Sequence, residues 1–250
     1  MGYNIKVENE DFSSNVITFH FLLIDCSGSM DGEKENSVRA GLKLIQDELT
    51  KLEDTSSTRV SVIEFGDAVY PSNLKLVENF NIDYWARNEC TALYDAICYV
   101  KESIADLNLR YRNKYRLNLN VIVLSDGKDN ASSNSELEAT TAVTELKTTY
   151  KASTIFYAIE EKYNVEEVTK IARELGFNVK RVDGDQKSIE NMSRQLSTML
   201  VSSSRSGVPA ELNGLSATLS TTVSRVAAEK FEADMKEIEE VILDPFEDLM

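Results

Sequence analysis

The sequence predicts an α/β fold, a mostly parallel sheet with helices on both faces. Three observations point there. From residue 16 to about residue 201, short apolar, β-branched runs alternate with longer segments of helical periodicity, the pattern of successive strand–helix units. Two of the runs, residues 16–24 and 119–125, are apolar nearly throughout instead of alternating, as strands buried on both faces are. Both stop at an aspartate, Asp25 and Asp126, at the strand ends beyond which such sheets form their sites.

The elements follow in order. The first strand, VITFHFLLI, runs into Asp-Cys-Ser-Gly. Residues 38–52 place Val38, Leu42, Ile45, Leu49 and Leu52 on one helical face. Residues 59–65 alternate like a strand, and Gly66-Asp67 turns the chain into Ala68-Val69-Tyr70. This hairpin predicts one antiparallel edge strand. Residues 91–109 form a helix with Leu93, Ile97, Val100, Ile104 and Leu107 on its apolar face. After the second buried strand comes a helix over 135–150, with Ser135 as cap and Glu138 completing a capping box. A strand over 153–159, a helix over 165–175 ended by Gly176, a short strand over 178–182 and a helix over 187–201 complete the domain.

Four segments result. Residues 1–15 are polar, and 16–201 carry the α/β domain. Residues 202–222 are rich in Ser, Thr, Ala and Leu and read as a linker. Residues 223–250 return to helical spacing through Val223, Val226, Phe231, Ile238, Val241 and Ile242, with an acidic opposite face. A helix so separated must pack on its own domain or on a partner, which makes self-association one expectation for it.

Bulk properties exclude several functions. The 250 residues hold 42 Asp and Glu against 27 Lys and Arg, a formal net charge of −15. Such a surface repels phosphate backbones, so no nucleic-acid partner is expected. The apolar run at 16–24 is too short to span a bilayer, and the opening MGYNIKVENEDFSSN is not a signal peptide. Lys6 stands where a myristoylation motif needs Ser or Thr. Cys26, Cys90 and Cys98 are three and widely spaced, fitting neither a disulfide framework nor a zinc site. A reducing, cytoplasmic setting without membrane contact is the expectation.

The chemistry sits where the two buried strands end. Asp25 is followed by Cys-Ser-Gly-Ser, so Ser27 and Ser29 can turn their hydroxyls back toward it. Carboxylate and hydroxyl oxygens are hard donors that suit Mg²⁺, Mn²⁺ or Ca²⁺. His20, the single histidine, lies within the first strand and reads as a core residue.

Asp25-Cys-Ser-Gly-Ser29 resembles the Asp-x-Ser-x-Ser motif of von Willebrand factor A domains, the motif of their metal-ion-dependent adhesion site. Thr91-Ala-Leu-Tyr-Asp-Ala-Ile97 resembles that family's second loop, where a Thr opens a helix, and Leu124-Ser-Asp-Gly127 its third, where an Asp ends a central strand. One motif alone is weak; three in the right order on the right element ends are specific. The resemblance covers roughly residues 16–201 and implies a Rossmann-like three-layer fold. It further implies a metal held directly by Ser27 and Ser29 and by Thr91 directly or through water, with Asp25 and Asp126 acting largely through water or hydrogen bonds. Mg²⁺ is the implied ion, with Mn²⁺ or Ca²⁺ as substitutes. Such a site is one ligand short, and a partner's Asp or Glu completes it. The chain departs from the family at Glu89 and Cys90, where a Gly is common before the Thr. Cys90 would crowd the loop if a positive φ were required there. Glu89 reads as solvent-exposed, and Asp129 as a turn residue near enough to brace the third loop.

The resemblance implies a binding module and not an enzyme. The sequence is similar to stand-alone bacterial and phage intracellular members, including the tellurium-resistance-type group, some of which act as scaffolds in stress response or defence. Two readings compete. Haloacid-dehalogenase-like phosphatases also place an Asp after a buried strand, and Ser125-Asp-Gly-Lys-Asp129 faintly resembles their acidic loop. That class needs a second Asp two residues after the first as general acid, and Ser27 stands there. The other reading is a structural subunit of a larger assembly with a vestigial metal site.

Overall fold

In the computed structural model, residues 5–87, 89–160 and 166–210 are described. Among these residues seven strands form one sheet. They are β1 (Val16–Asp25), β2 (Thr58–Phe65), β3 (Val69–Tyr70), β4 (Lys75–Leu76), β5 (Arg116–Ser125), β6 (Ser153–Glu160) and β7 (Asn178–Asp183). The helices are α1 (Glu33–Leu49), α2 (Leu93–Tyr111), α3 (Glu136–Thr148), α4 (Glu167–Glu174) and α5 (Gln186–Ser206). Strand order is β3-β2-β1-β5-β6-β7, with β4 also on β2. The β2–β1, β1–β5, β5–β6 and β6–β7 pairs are parallel, and β3 and β4 run antiparallel to β2. The expected fold class is therefore the one found.

Strand periodicity divides the sheet into two apolar faces. Phe19, Phe21 and Leu23 of β1, Val121 and Val123 of β5 and Phe156 of β6 pack with α2, α3 and α4. Leu22 and Ile24 of β1, Ile122 and Leu124 of β5 and Val62 of β2 pack with α1 and α5. Successive side chains point to opposite faces, so a strand covered on both sides must be apolar at every step. Each such large side chain contributes about 1.5–3 kcal/mol on full burial.

Most elements begin or end near the expected residues, and the differences have causes. α1 starts at Glu33, earlier than the apolar spacing predicts. Its start, Glu33 to Ser37, is polar in composition yet buries Lys34 and Ser37. β5 starts at Arg116, because Val16 and Ile17 pair with Arg116 and Leu117. α3 carries the expected capping box between Ser135 and Glu138. Gly176 has a φ of 90°, which stops α4 as expected. β4 is too short to leave a periodic signature. α5 continues to Ser206, into residues whose composition reads as linker, and ends at Gly207. The extension expected over 223–250 lies outside the described residues. So does the linker-like stretch beyond residue 210.

The amino-terminal segment is less separate than its polarity suggests. Ile5 is buried, Val7 bridges to Leu74, and the buried Arg59 donates to the carbonyls of Glu8 and Asn9. At the far edge, β7 pairs only with β6 among the described residues and carries exposed Lys180 and Arg181. No helix among the described residues is long and apolar enough to cross a membrane.

Polar side chains gather at the foot of α5, toward the amino ends of β1 and β5. Asn118 donates to Thr18 Oγ1, Ser203 O and Ser203 Oγ, each at 3.0 Å. Asn120 donates to Ser203 Oγ at 3.1 Å and accepts from Ala210 N at 2.8 Å. His20 Nε2 lies 2.9 Å from Ser204 Oγ. His20 is thus the core residue the sequence suggested, bonded to α5.

Candidate functional site

Strand direction reverses its progress across the sheet at β1. β2 lies on one side of it and β5 on the other. A crevice forms beyond the carboxyl ends of strands at such a switch point. In-register pairing of Ile24 with Leu124 brings Asp25 and Asp126 to that edge together.

The first loop folds back on its own strand. Ser27 N donates to Asp25 Oδ1 at 2.9 Å, and Gly28–Met30 form a single 3₁₀ turn. Ser27 Oγ and Ser29 Oγ are 3.1 Å apart, and Ser29 Oγ donates to Asp126 Oδ1 at 2.6 Å. One hydrogen-bonded chain thus joins Asp25, Ser27, Ser29 and Asp126. Asp25, Ser27 and Asp126 are buried while Ser29 is exposed, so the cluster meets solvent at Ser29.

The segment preceding Thr91 straps the first loop. Tyr84 donates its hydroxyl to Asp25 O at 2.6 Å, Arg87 N donates to Cys26 O at 2.7 Å, and Gly28 N donates to Glu89 O at 3.2 Å. Cys90 N donates to Asp67 Oδ1 at 2.6 Å. Cys90 has no positive φ, so the missing glycine does not strain the loop. Glu89 is half-buried, its carboxylate accepting from Tyr70 Oη and Asp67 N, and so it does not simply face solvent.

The third loop fixes Thr91. Asn130 Oδ1 accepts from Thr91 N at 2.7 Å, and Thr91 O accepts from Asn130 N and Ala131 N. Asp129 Oδ1 accepts from Tyr94 N at 3.1 Å, so this residue braces α2 against the third loop. A Cβ on Gly127 would stand 3.3 Å from Thr91 Oγ1 and 3.6 Å from Asp25 Oδ2. The backbone at Gly127 therefore passes close to both, and Thr91 joins the other four residues.

Three participants escaped the sequence reading. Ser125 Oγ donates to Asp25 Oδ2 at 2.5 Å. Asn130 holds Thr91. Lys34 Nζ forms an ion pair with Asp126 Oδ2 and donates to Ser29 O at 2.9 Å. Nothing in local spacing marks them, because each reaches its partner across loops. Burial pushes the Asp25 carboxyl up to about 6, against hydrogen bonds from Ser125 and Ser27, and the charge of Asp126 adds to the rise. Burial pushes the Cys26 thiol up to about 12 beside Arg87, whose guanidinium donates to its Sγ at 3.0 Å. The three cysteines are all free.

In donor chemistry the cluster suits a hard divalent cation, with three hydroxyls and two carboxylates converging and no soft ligand among them. Among the described residues, no group of three or more His, Cys, Asp or Glu side chains is placed to hold a metal. Any ion here would accordingly depend on the hydroxyls.

The family model of the von Willebrand factor type A domain matches residues 21–195. No curated protein matches in sequence. Among solved structures, the chain is similar to the pilus adhesin SpaC from Lactobacillus rhamnosus GG, at 12% identity and a TM-score of 0.58 over 80% of this chain and 32% of that one. A mutant of the PilB minor pilin from Streptococcus sanguinis matches at 10% identity and a TM-score of 0.53, over 77% of this chain and 63% of that one. Proximal thread matrix protein 1 from the mussel byssus matches at 17% identity and a TM-score of 0.50, over 75% and 48%. The chain thus spans less than two thirds of each of these structures. At such identities the likeness is one of fold.

Proposed function

Because the chain belongs to the von Willebrand factor type A domain family, we propose that it is a metal-dependent protein-binding module and not an enzyme. The observation that carries this reading is the convergence of Asp25, Ser27, Ser29, Thr91 and Asp126 at one sheet edge, opening to solvent at Ser29. Ser27, Ser29 and Thr91 would hold Mg²⁺, or Mn²⁺ or Ca²⁺, through their hydroxyls. Asp25 and Asp126 would act through water and hydrogen bonds. A cation held mostly by neutral oxygens keeps Lewis acidity for an Asp or Glu side chain of a partner. This chain's residues do the rest: Ser125 and Ser27 orient Asp25, Asn130 orients Thr91, and the strap over Tyr84, Arg87 and Glu89 fixes the first loop.

By analogy within the family, we place the protein with cytoplasmic scaffold members of bacterial or phage stress-response and defence systems, such as the tellurium-resistance-type group. The phosphatase reading gains nothing from the geometry. Ser27, where that chemistry needs a general acid, is a buried hydroxyl beside Ser29.

Calorimetric titration with Mg²⁺ and Mn²⁺ tests the proposal. Wild type is expected to bind one ion, and Asp25→Ala combined with Ser27→Ala to bind none. Absence of both heat and thermal shift in wild type would favour a vestigial site. Mg²⁺-dependent phosphatase turnover abolished by Asp25→Asn would sink the binding reading.

A further inference from the structure

We propose that Lys34 is a tethered cation of this site. Its ammonium acts as counter-ion to Asp126 in the metal-free protein and weakens divalent-ion binding. Metal binding is thereby coupled to the arrival of a carboxylate. The inference rests on the metal-dependent reading above and deepens it.

The case begins with burial. Lysine is seldom buried unless paired, and Lys34 lies in the first turn of α1 with its side chain 10% exposed against 1% for Asp126. Nζ pairs with Asp126 Oδ2 and donates to Ser29 O at 2.9 Å, while Asp126 Oδ1 takes the Ser29 hydroxyl at 2.6 Å. The ammonium is thus bonded to two of the five residues of the site. It is covalently part of the fold, so it cannot diffuse away when an ion enters.

Charge counting then gives the coupling. Asp25 and Asp126 carry two negative charges when ionised, and Lys34 sets a fixed positive charge against Asp126. A divalent ion entering there is repelled by that charge at close range, and a carboxylate joining the ion is attracted by both cations. Without Lys34 the ion meets no ammonium at Asp126, so the metal binds more tightly and an acid gains less by joining it. Repulsion between like charges a few ångströms apart in a partly buried site is large enough to change affinity by roughly tenfold or more.

The test is Mn²⁺ titration of wild type, Lys34→Met and Lys34→Arg, with melting in EDTA as the control for folding. Lys34→Met is expected to bind Mn²⁺ roughly tenfold or more tightly than wild type and to melt lower in EDTA, because Asp126 loses its counter-ion. Lys34→Arg keeps the charge and is expected to stay near wild type. Acetate, standing in for a partner's carboxylate, should tighten Mn²⁺ binding more in wild type than in Lys34→Met. Binding by Lys34→Met with none by wild type also supports the proposal. Equal or weaker binding by Lys34→Met overturns it, as does equal tightening by Lys34→Arg or an acetate effect equal in the two proteins. If no variant binds Mn²⁺, the metal reading itself fails and the proposal falls with it. Should Lys34→Met not fold, Lys34→Gln carries the same expectations.

Discussion

Asp25 is placed by a motif but kept in place by a neighbour no motif names. Its Oδ2 accepts from Ser125 Oγ at 2.5 Å inside the protein. Removing that donor leaves a buried carboxylate oxygen without its partner, at a cost of about 1–3 kcal/mol. Ser125→Ala is therefore expected to lower the unfolding free energy by about that amount in urea denaturation under EDTA. An unchanged midpoint would show the bond to be energetically idle. At this scale the convergence of the five candidate residues was legible because their types and order form a recognisable set. Ser125, Lys34 and Asn130 were not, since a serine ending a strand or a lysine opening a helix is ordinary until folding brings a carboxylate to it. Cys90 is the converse case. The sequence raised a steric worry there, and a negative φ removes it.

Elements were legible where packing sets the period. The apolar stripes of α1, α2 and α3 and the unbroken runs of β1 and β5 announced themselves, because each must fill one side or both sides of a core. Ends were less legible: α1 gains a polar first turn, and α5 runs on through serines to Gly207. The foot of α5 supplies a test. His20 is buried against it, and burial lowers its pKa from the ordinary 6.5 to about 3. Unfolded His20 takes up a proton near pH 6.5, while the folded residue resists until about pH 3. Stability from this group is complete above pH 6.5 and is lost as pH falls through that window. His20→Gln should therefore lose less stability than wild type between neutral pH and about pH 4.5, read from urea midpoints at both values. Comparing the two proteins isolates this residue from the titrating carboxylates. Parallel losses would refute the assignment.

For the molecule as a whole, alternation of strands and helices was enough to give the class of fold and the edge where the candidate residues meet. Pairing order was not readable, because β1 finds β2 and β5 through contacts distant in sequence. The acidic balance of the chain describes its surface and says little of the site, where Lys34 and Arg87 stand among the carboxylates. The last strand shows the same local reversal of sign. Among the described residues β7 pairs on one side only, with Lys180 and Arg181 exposed, in a chain of net charge −15. An open strand is a template on which a second copy could extend the sheet. Two β7 strands meeting edge to edge would bring the Lys180 ammonium groups of both copies together, so zipping of copies is opposed where the backbone invites it. Replacing Lys180 and Arg181 together by Val should raise light scattering on storage at concentrations where wild type stays clear. Equal clarity would move that protection elsewhere. The two residues would thus act on how long the protein keeps in solution, a colloidal property separate from what the candidate site does.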